Sequence, residues 1–233
     1  DATSQIEQIQ NGMTAWNTAG ANFAFTYGGT SALSYVSPDG TNLIFFSMSP
    51  PDGGYYIAAN YYWLDSSNPA YLIESDIIFN DLDYSWWNGV GVCSGGQDIW
   101  STAAHELGHT LCLEDLYGPE DGEKTMYGYG DDCETLARTL HPDDIDGIVA
   151  IYGASAAPAN DQCFGAAIVA EGTYSGTTTG ALSDGSANCG DSTATPDVWY
   201  RYLATGCGVV RELPSGPARC DSDLSEFSGC GRA

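Results

Sequence analysis

Residues 98–126 read DIWSTAAHELGHTLCLEDLYGPEDGEKTM. Ile99, Ala103, Leu107 and Leu111 recur at helical spacing, so the first half of this stretch is expected to be a helix with one apolar face. His105 and His109, four residues apart, project from one side of such a helix about one turn from each other. Both imidazoles can then reach a single metal ion, and an H-E-x-x-H pair on a helix is a zinc pattern. Glu106 falls at the edge of that side, placed to take a proton from a water that the metal activates.

Two ligands do not make a site, because catalytic zinc usually takes three protein atoms and keeps a fourth position open. The chain has three histidines, and the third, His141, lies far downstream. Asp115 is closer, six residues after His109. The run from His105 to Asp115 resembles the metzincin pattern H-E-x-x-H-x-x-G-x-x-H, a minority of whose members use aspartate at the last position. Met126 falls where those enzymes carry the Met-turn beneath the metal. The likeness extends to Glu74–Asn80 (ESDIIFN), Thr125-Met126-Tyr127 and the run HPDDIDGIVAIYG from His141 to Gly153, all similar to the matrixin branch and its bacterial relatives. It implies a zinc endopeptidase with His105, His109 and Asp115 as ligands, Glu106 as general base and one zinc. Tyr127 and Tyr129 would then wall the pocket for the residue after the scissile bond, with packing ranked above any role in steadying an oxyanion.

Two positions depart from the family pattern. Cys112 stands where the pattern has glycine, which lets the helix end in a left-handed turn at no steric cost. A cysteine there costs roughly 1–2 kcal/mol, so the turn is expected to be strained or differently shaped. If the helix ran on by one residue, the Cys112 thiol would share a face with both histidines. Three ligands from one unbroken helix surround a tetrahedral ion poorly, and the plainer reading is a disulfide or a buried thiol. The other departure is the aspartate ligand, whose negative charge makes the metal a weaker Lewis acid than three imidazoles would. Glu134 is a rival third ligand, by analogy with zinc enzymes that use a distant glutamate.

The 233 residues carry 31 acidic and 6 basic side chains, a formal charge of −25. That balance argues against nucleic acid and anionic membrane as partners, because both are polyanions. Eight cysteines in a Gly-rich chain point to an oxidising compartment, and eight allow 105 pairings. No apolar run is long enough to span a membrane. The opening DATSQIEQIQ has no basic-then-apolar leader, so for a secreted chain the signal peptide is expected to have been removed or left out, and no propeptide is expected, since no cysteine-bearing segment precedes the domain to block the metal.

Ile6, Ile9, Met13 and Trp16 predict an opening helix. Strands are expected at Asn22–Tyr27, Leu43–Met48, Tyr55–Leu64 and Tyr71–Phe79, the last two joined by a hairpin loop over Asp65–Ala70. Trp63, Trp86, Trp87 and the many tyrosines read as core and cross-strand pairs in preference to a carbohydrate platform. Asn80, Asp81 and Asp83 follow a strand, where oxygen ligands can hold calcium; a solvated acidic loop is the equal alternative. His141 reads as the cap of a helix beginning at Pro142, with Ile145, Ile148, Val149 and Tyr152 on its apolar face and Gly153 ending it.

The expected fold is α+β over residues 1–153, a twisted mixed sheet with an active-site helix and a C-terminal helix. A linker follows at 154–159. Residues 160–233 resemble the start of a β-sandwich accessory module, all-β and stopping short of its last strands. The function expected is that of a secreted, monomeric zinc endopeptidase acting on extended or unfolded protein. A binding module on the same scaffold, zinc-loaded but without turnover and serving as an adhesin, is the alternative.

Overall fold

A computed structural model describes residues 2–68, 71–159, 167–170, 178, 180–181, 198 and 200–202. The chain divides into two compact units, residues 1–153 and 154–233. In the first, helix α1 (Ala2–Asn17) and helix α2 (Ile99–Thr110) cross closely. The apolar spacing that predicted α1 delivers Trp16 to the core, 1% exposed, and its indole Nε1 donates to the Ala104 carbonyl at 2.8 Å. Gly12 sits at the crossing, where a β-carbon would lie 3.0 Å from the Ala104 nitrogen and 3.1 Å from Ala103 Cβ.

The sheet has the order β1-β3-β2, with β1 at Ile44–Ser47, β2 at Ala58–Leu64 and β3 at Leu72–Asn80. Parallel to β1 (Ile44 opposite Ile77) and antiparallel to β2 (Ala58 opposite Phe79), β3 is the central strand. Its run Ile77-Ile78-Phe79 is wholly buried, as a central strand with both faces covered requires. The hairpin loop begins as expected, Asp65 N–H donating to the Tyr71 carbonyl, while residues 69 and 70 lie outside the described ones. Two short strands, β4 (Trp86–Trp87) and β5 (Gln97–Asp98), pair in parallel just before α2.

The strand expected at Asn22–Tyr27 is not formed. Phe23 and Phe25 do turn inward, edge-on to one another at 4.8 Å, and Phe23 also meets Tyr152 at 5.0 Å. The backbone of Phe25 is instead occupied by the Asn17 carboxamide, whose Oδ1 accepts from its N–H (2.6 Å) and whose Nδ2 donates to its carbonyl (2.9 Å). Alternation here reports burial and not a ladder.

Helix α3 (Pro142–Tyr152) starts as predicted. The His141 side chain accepts from Asp143 N–H at 3.2 Å, Asp144 accepts from His141 N–H at 3.1 Å, and Gly153 ends the helix with φ 77°. Trp86 packs against Phe46 and Phe79 in the core, and Trp87 and Trp100 flank Arg138 at 5.1 and 5.0 Å. Trp86 thus follows the packing expectation, while Tyr55, Tyr62 and Tyr71 are exposed. In the second unit the described strands are β6 (Ala167–Val169) and β7 (Tyr200–Tyr202), paired in parallel. The rest of the expected β-sandwich, with five of the eight cysteines, lies outside the described residues.

Candidate metal centre

Helix α2 is anchored at its start by Asp98, whose side chain accepts from Ser101 N–H at 2.8 Å and is gripped by Arg138, with Nε at 2.9 Å. Its end is a Schellman turn: Leu113 N–H returns to the Gly108 carbonyl (3.1 Å) and Cys112 N–H to that of His109 (2.9 Å). Cys112 takes φ 68°, the left-handed geometry that the family pattern assigns to glycine. The helix therefore stops before the thiol could join the histidines. Against the expectation of a disulfide or a buried thiol, Cys112 is free and exposed, beside the Tyr152 hydroxyl. The turn sends the chain back so that Asp115 meets His105 and His109.

The three side chains form the one group of potential metal ligands among the described residues, with ligand atoms within 4.8 Å of one another. Asp115 Oδ1 lies 3.1 Å from His105 Nε2 and 3.4 Å from His109 Nε2. Each Nδ1 faces a backbone carbonyl at 2.8 Å, that of Thr125 for His105 and that of Leu113 for His109. A carbonyl only accepts, so each Nδ1 carries a proton, and in its neutral form each ring turns an Nε2 lone pair toward the carboxylate. In that form three acceptors converge with no donor among them, and Asp115 Oδ1 is buried. That arrangement calls for a cation, and two imidazoles with one carboxylate suit zinc.

With protons as the available cation, the electrostatics point the same way. Burial acts to lower the pKa of both histidines, yet the Asp115 carboxylate and the charge of Glu106 outweigh it, and His109 is raised to about 9. The two histidines hold Asp115 well below the usual carboxylate range. Glu106 is 5% exposed; burial pushes its carboxyl up against the pull of both histidines, and Oε2 has no hydrogen-bond partner among the described residues. All four residues line one cleft of about 790 Å³.

Met126, 1% exposed, lies directly beneath α2, where a β-carbon on Gly108 would collide with its sulfur. Tyr127 and Tyr129 also line the cleft, rings 5.5 Å apart, and Tyr129 is exposed. Glu134 lines the cleft too but stands outside the ligand group, its Oε2 accepting from Asp131 N–H at 3.3 Å. His141 is the α3 cap. At the acidic loop, Asn80 is committed to the fold: Nδ2 donates to the Gly54 and Tyr56 carbonyls and to Asp83 Oδ2, and Oδ1 accepts from Leu82 and Asp83 N–H. Among the described residues, Asp81 and Asp83 join no group able to hold a metal.

Three supports escaped the sequence reading. Asp144, read as a carboxylate favoured by the helix dipole, also accepts from Thr125 N–H at 2.9 Å and so fixes the carbonyl that orients His105. Asn60 on β2 donates to the Glu106 carbonyl and to Thr110 Oγ1, each at 2.8 Å, tying the sheet to the helix. Tyr117 Oη donates to Asp115 Oδ2 at 2.9 Å. A threonine beside a methionine and a tyrosine near an aspartate carry no signal of this kind in the sequence.

The matrixin family model matches residues 8–153, the whole stretch that builds the sheet, α2, the Asp115 loop and α3. The chain belongs to the matrixin family. Over 117 residues it is 32% identical to the neutrophil collagenase of Homo sapiens, a match covering 50% of this chain and 23% of that relative; the chain thus spans about a quarter of the relative's length. Membership of the matrixins, a zinc-dependent family of metalloproteases, agrees with the mixed α+β fold and with the His-His-Asp group. Among the described residues no helix is long and apolar enough to cross a membrane.

Proposed function

We propose that this chain is a secreted, monomeric zinc endopeptidase, with residues 1–153 as its catalytic domain and residues 160–233 as an accessory module of β-sandwich type. The observation that carries the reading is the convergence of His105 Nε2, His109 Nε2 and Asp115 Oδ1 beside the buried Oε2 of Glu106, which has no hydrogen-bond partner among the described residues. Zinc held by these three atoms would supply Lewis acidity, polarising a peptide carbonyl and making a water acidic enough to ionise near neutrality. Glu106, its proton affinity raised by burial, accepts the proton of the attacking water and passes it to the leaving amine.

Ala58, Ala59 and Asn60 bring β2, an outer strand of the sheet, to the cleft. An extended substrate pairs with that edge as an added strand, which favours unfolded or flexible protein. Tyr127 and Tyr129 wall the pocket beyond the scissile bond, and Met126 forms the floor under the metal as a Met-turn. The Cys93–Cys133 disulfide supports an oxidising compartment. The proposal assigns one zinc and no role to calcium.

The test is hydrolysis of casein by the wild type and by Glu106→Ala at equal zinc content. Loss of a general base is expected to lower the rate by about 10²–10⁴-fold. A zinc-loaded wild type that cleaves nothing would overturn the protease reading and move the assignment to a binding module on the same scaffold.

A further inference from the structure

Asp115 and Tyr117 alternate with Leu116 along an extended segment, so the two polar side chains face the cleft while Leu116 packs on the core. The segment is pinned by a parallel bridge to the turn that carries Met126: Leu116 N–H donates to the Met126 carbonyl at 2.8 Å, and Gly128 N–H to that of Leu116 at 3.0 Å. This brings the edge of the Tyr117 ring, with its hydroxyl, against Gly128. A β-carbon on Gly128 would collide with the ring edge, standing 2.7 Å from Cζ and 3.0 Å from Oη. Tyr129 closes the other side, edge to ring at 5.3 Å.

The two oxygens of Asp115 are consequently not equivalent. Oδ1 is buried and faces both imidazoles, while Oδ2 accepts the Tyr117 hydroxyl. A carboxylate only accepts, so the phenol is the donor, and a hydrogen bond to a charged acceptor is about twice as strong as a neutral one. A carboxylate with both oxygens free can give a metal either one or two of them, and the second would occupy the position that a catalytic zinc keeps open.

We propose that Tyr117 is a positioning residue for the third metal ligand. By holding Oδ2 it commits Asp115 to a single-oxygen contact through Oδ1. It also draws electron density from the carboxylate, countering the loss of Lewis acidity that an anionic ligand brings. Gly128 serves the same end by making room for the ring. This rests on the zinc reading above and adds to it a residue that acts on the metal through Asp115.

The test measures zinc affinity of the full metal-free chain by competition with a chromogenic chelator, and the visible spectrum of the Co²⁺-substituted chain. Tyr117→Phe is expected to weaken zinc binding about 10-fold or more, the scale of lost ligand support. It should also lower the Co²⁺ absorptivity, as a four-coordinate ion gains a fifth oxygen. Gly128→Ala should do the same although the hydroxyl is still in the chain. Tyr117 is 57% exposed, so Tyr117→Phe should leave the melting temperature of the metal-free chain unchanged. Wild-type affinity and an unaltered Co²⁺ spectrum in both variants would overturn the role of Tyr117 alone. A wild type that takes up no zinc would overturn the metal reading and this proposal with it.

Discussion

Among the described residues two cysteines hold left-handed backbone, Cys112 with φ 68° and Cys133 with φ 64°, each on a loop that contributes residues to the cleft. An L-residue adopts that conformation at a cost of roughly 1–2 kcal/mol. At Cys133 the cost is offset covalently, by a disulfide to Cys93 forty residues away, and Cys133 N–H also donates to the Gly96 carbonyl. At Cys112 no crosslink forms, and the turn is held by the backbone bonds that end α2. The contrast locates uncompensated strain at the turn that delivers Asp115 to the histidines, the pattern expected where geometry serves chemistry.

The comparison breaks most visibly if the third ligand belongs to the other loop. Asp115→Ala should weaken zinc binding by more than about 100-fold, beyond the range for a merely supporting group, whereas Glu134→Ala beside Cys133 should keep one zinc per chain after dialysis. The reverse result would make the disulfide loop the ligand carrier. Next in size is the crosslink itself. Joint replacement of Cys93 and Cys133 by serine should cost about 4 kcal/mol from the loop-length relation, read by urea unfolding followed through tryptophan fluorescence, with zinc still bound in the folded chain.

Relief of strain is smaller. Cys112→Gly regains roughly 1–2 kcal/mol of backbone strain but loses about 0.5–1 kcal/mol to the greater freedom of the unfolded chain. A net stabilisation of about 0.5–1 kcal/mol is expected in the same urea assay, and no gain would mean that the turn is not strained. Smallest is Cys112→Ala, which keeps the backbone cost and removes only an exposed thiol, so stability should stay within about 0.5 kcal/mol. A larger loss would show that the thiol's contact with Tyr152 is what the position provides.

The elements that the sequence announced are those whose pattern is local. Ile6, Ile9, Met13 and Trp16 mark α1, the buried run Ile77-Ile78-Phe79 marks the central strand, and the spacing of His105, His109 and Asp115 marks the ligand group. What escaped depends on partners distant in the chain. Phe23 and Phe25 alternate like a strand, yet Asn17 takes the backbone bonds that a neighbouring strand would have taken. Asp144 signalled a helix start, and only the fold shows its carboxylate reaching Thr125. Tyr117 meets Asp115 Oδ2 because the Leu116–Tyr127 bridge fixes the ring against Gly128, a contact without periodicity. The pairing of Cys93 with Cys133 was one of many that the cysteine count allowed.

The close crossing at Gly12 has a consequence for how this chain tolerates change. Gly12 carries no chemistry and lies on the helix farthest in sequence from the ligands, yet the Ala103 and Ala104 atoms it touches belong to the turn just before His105. Any side chain there must push α2 aside by a few tenths of an ångström. In close-packed material such a push is transmitted to the neighbours, not absorbed. Mutational freedom in this molecule will therefore not fall off simply with distance from the metal. An interhelical glycine should be as intolerant of drift as the residues that bind the ion, for reasons of clearance alone.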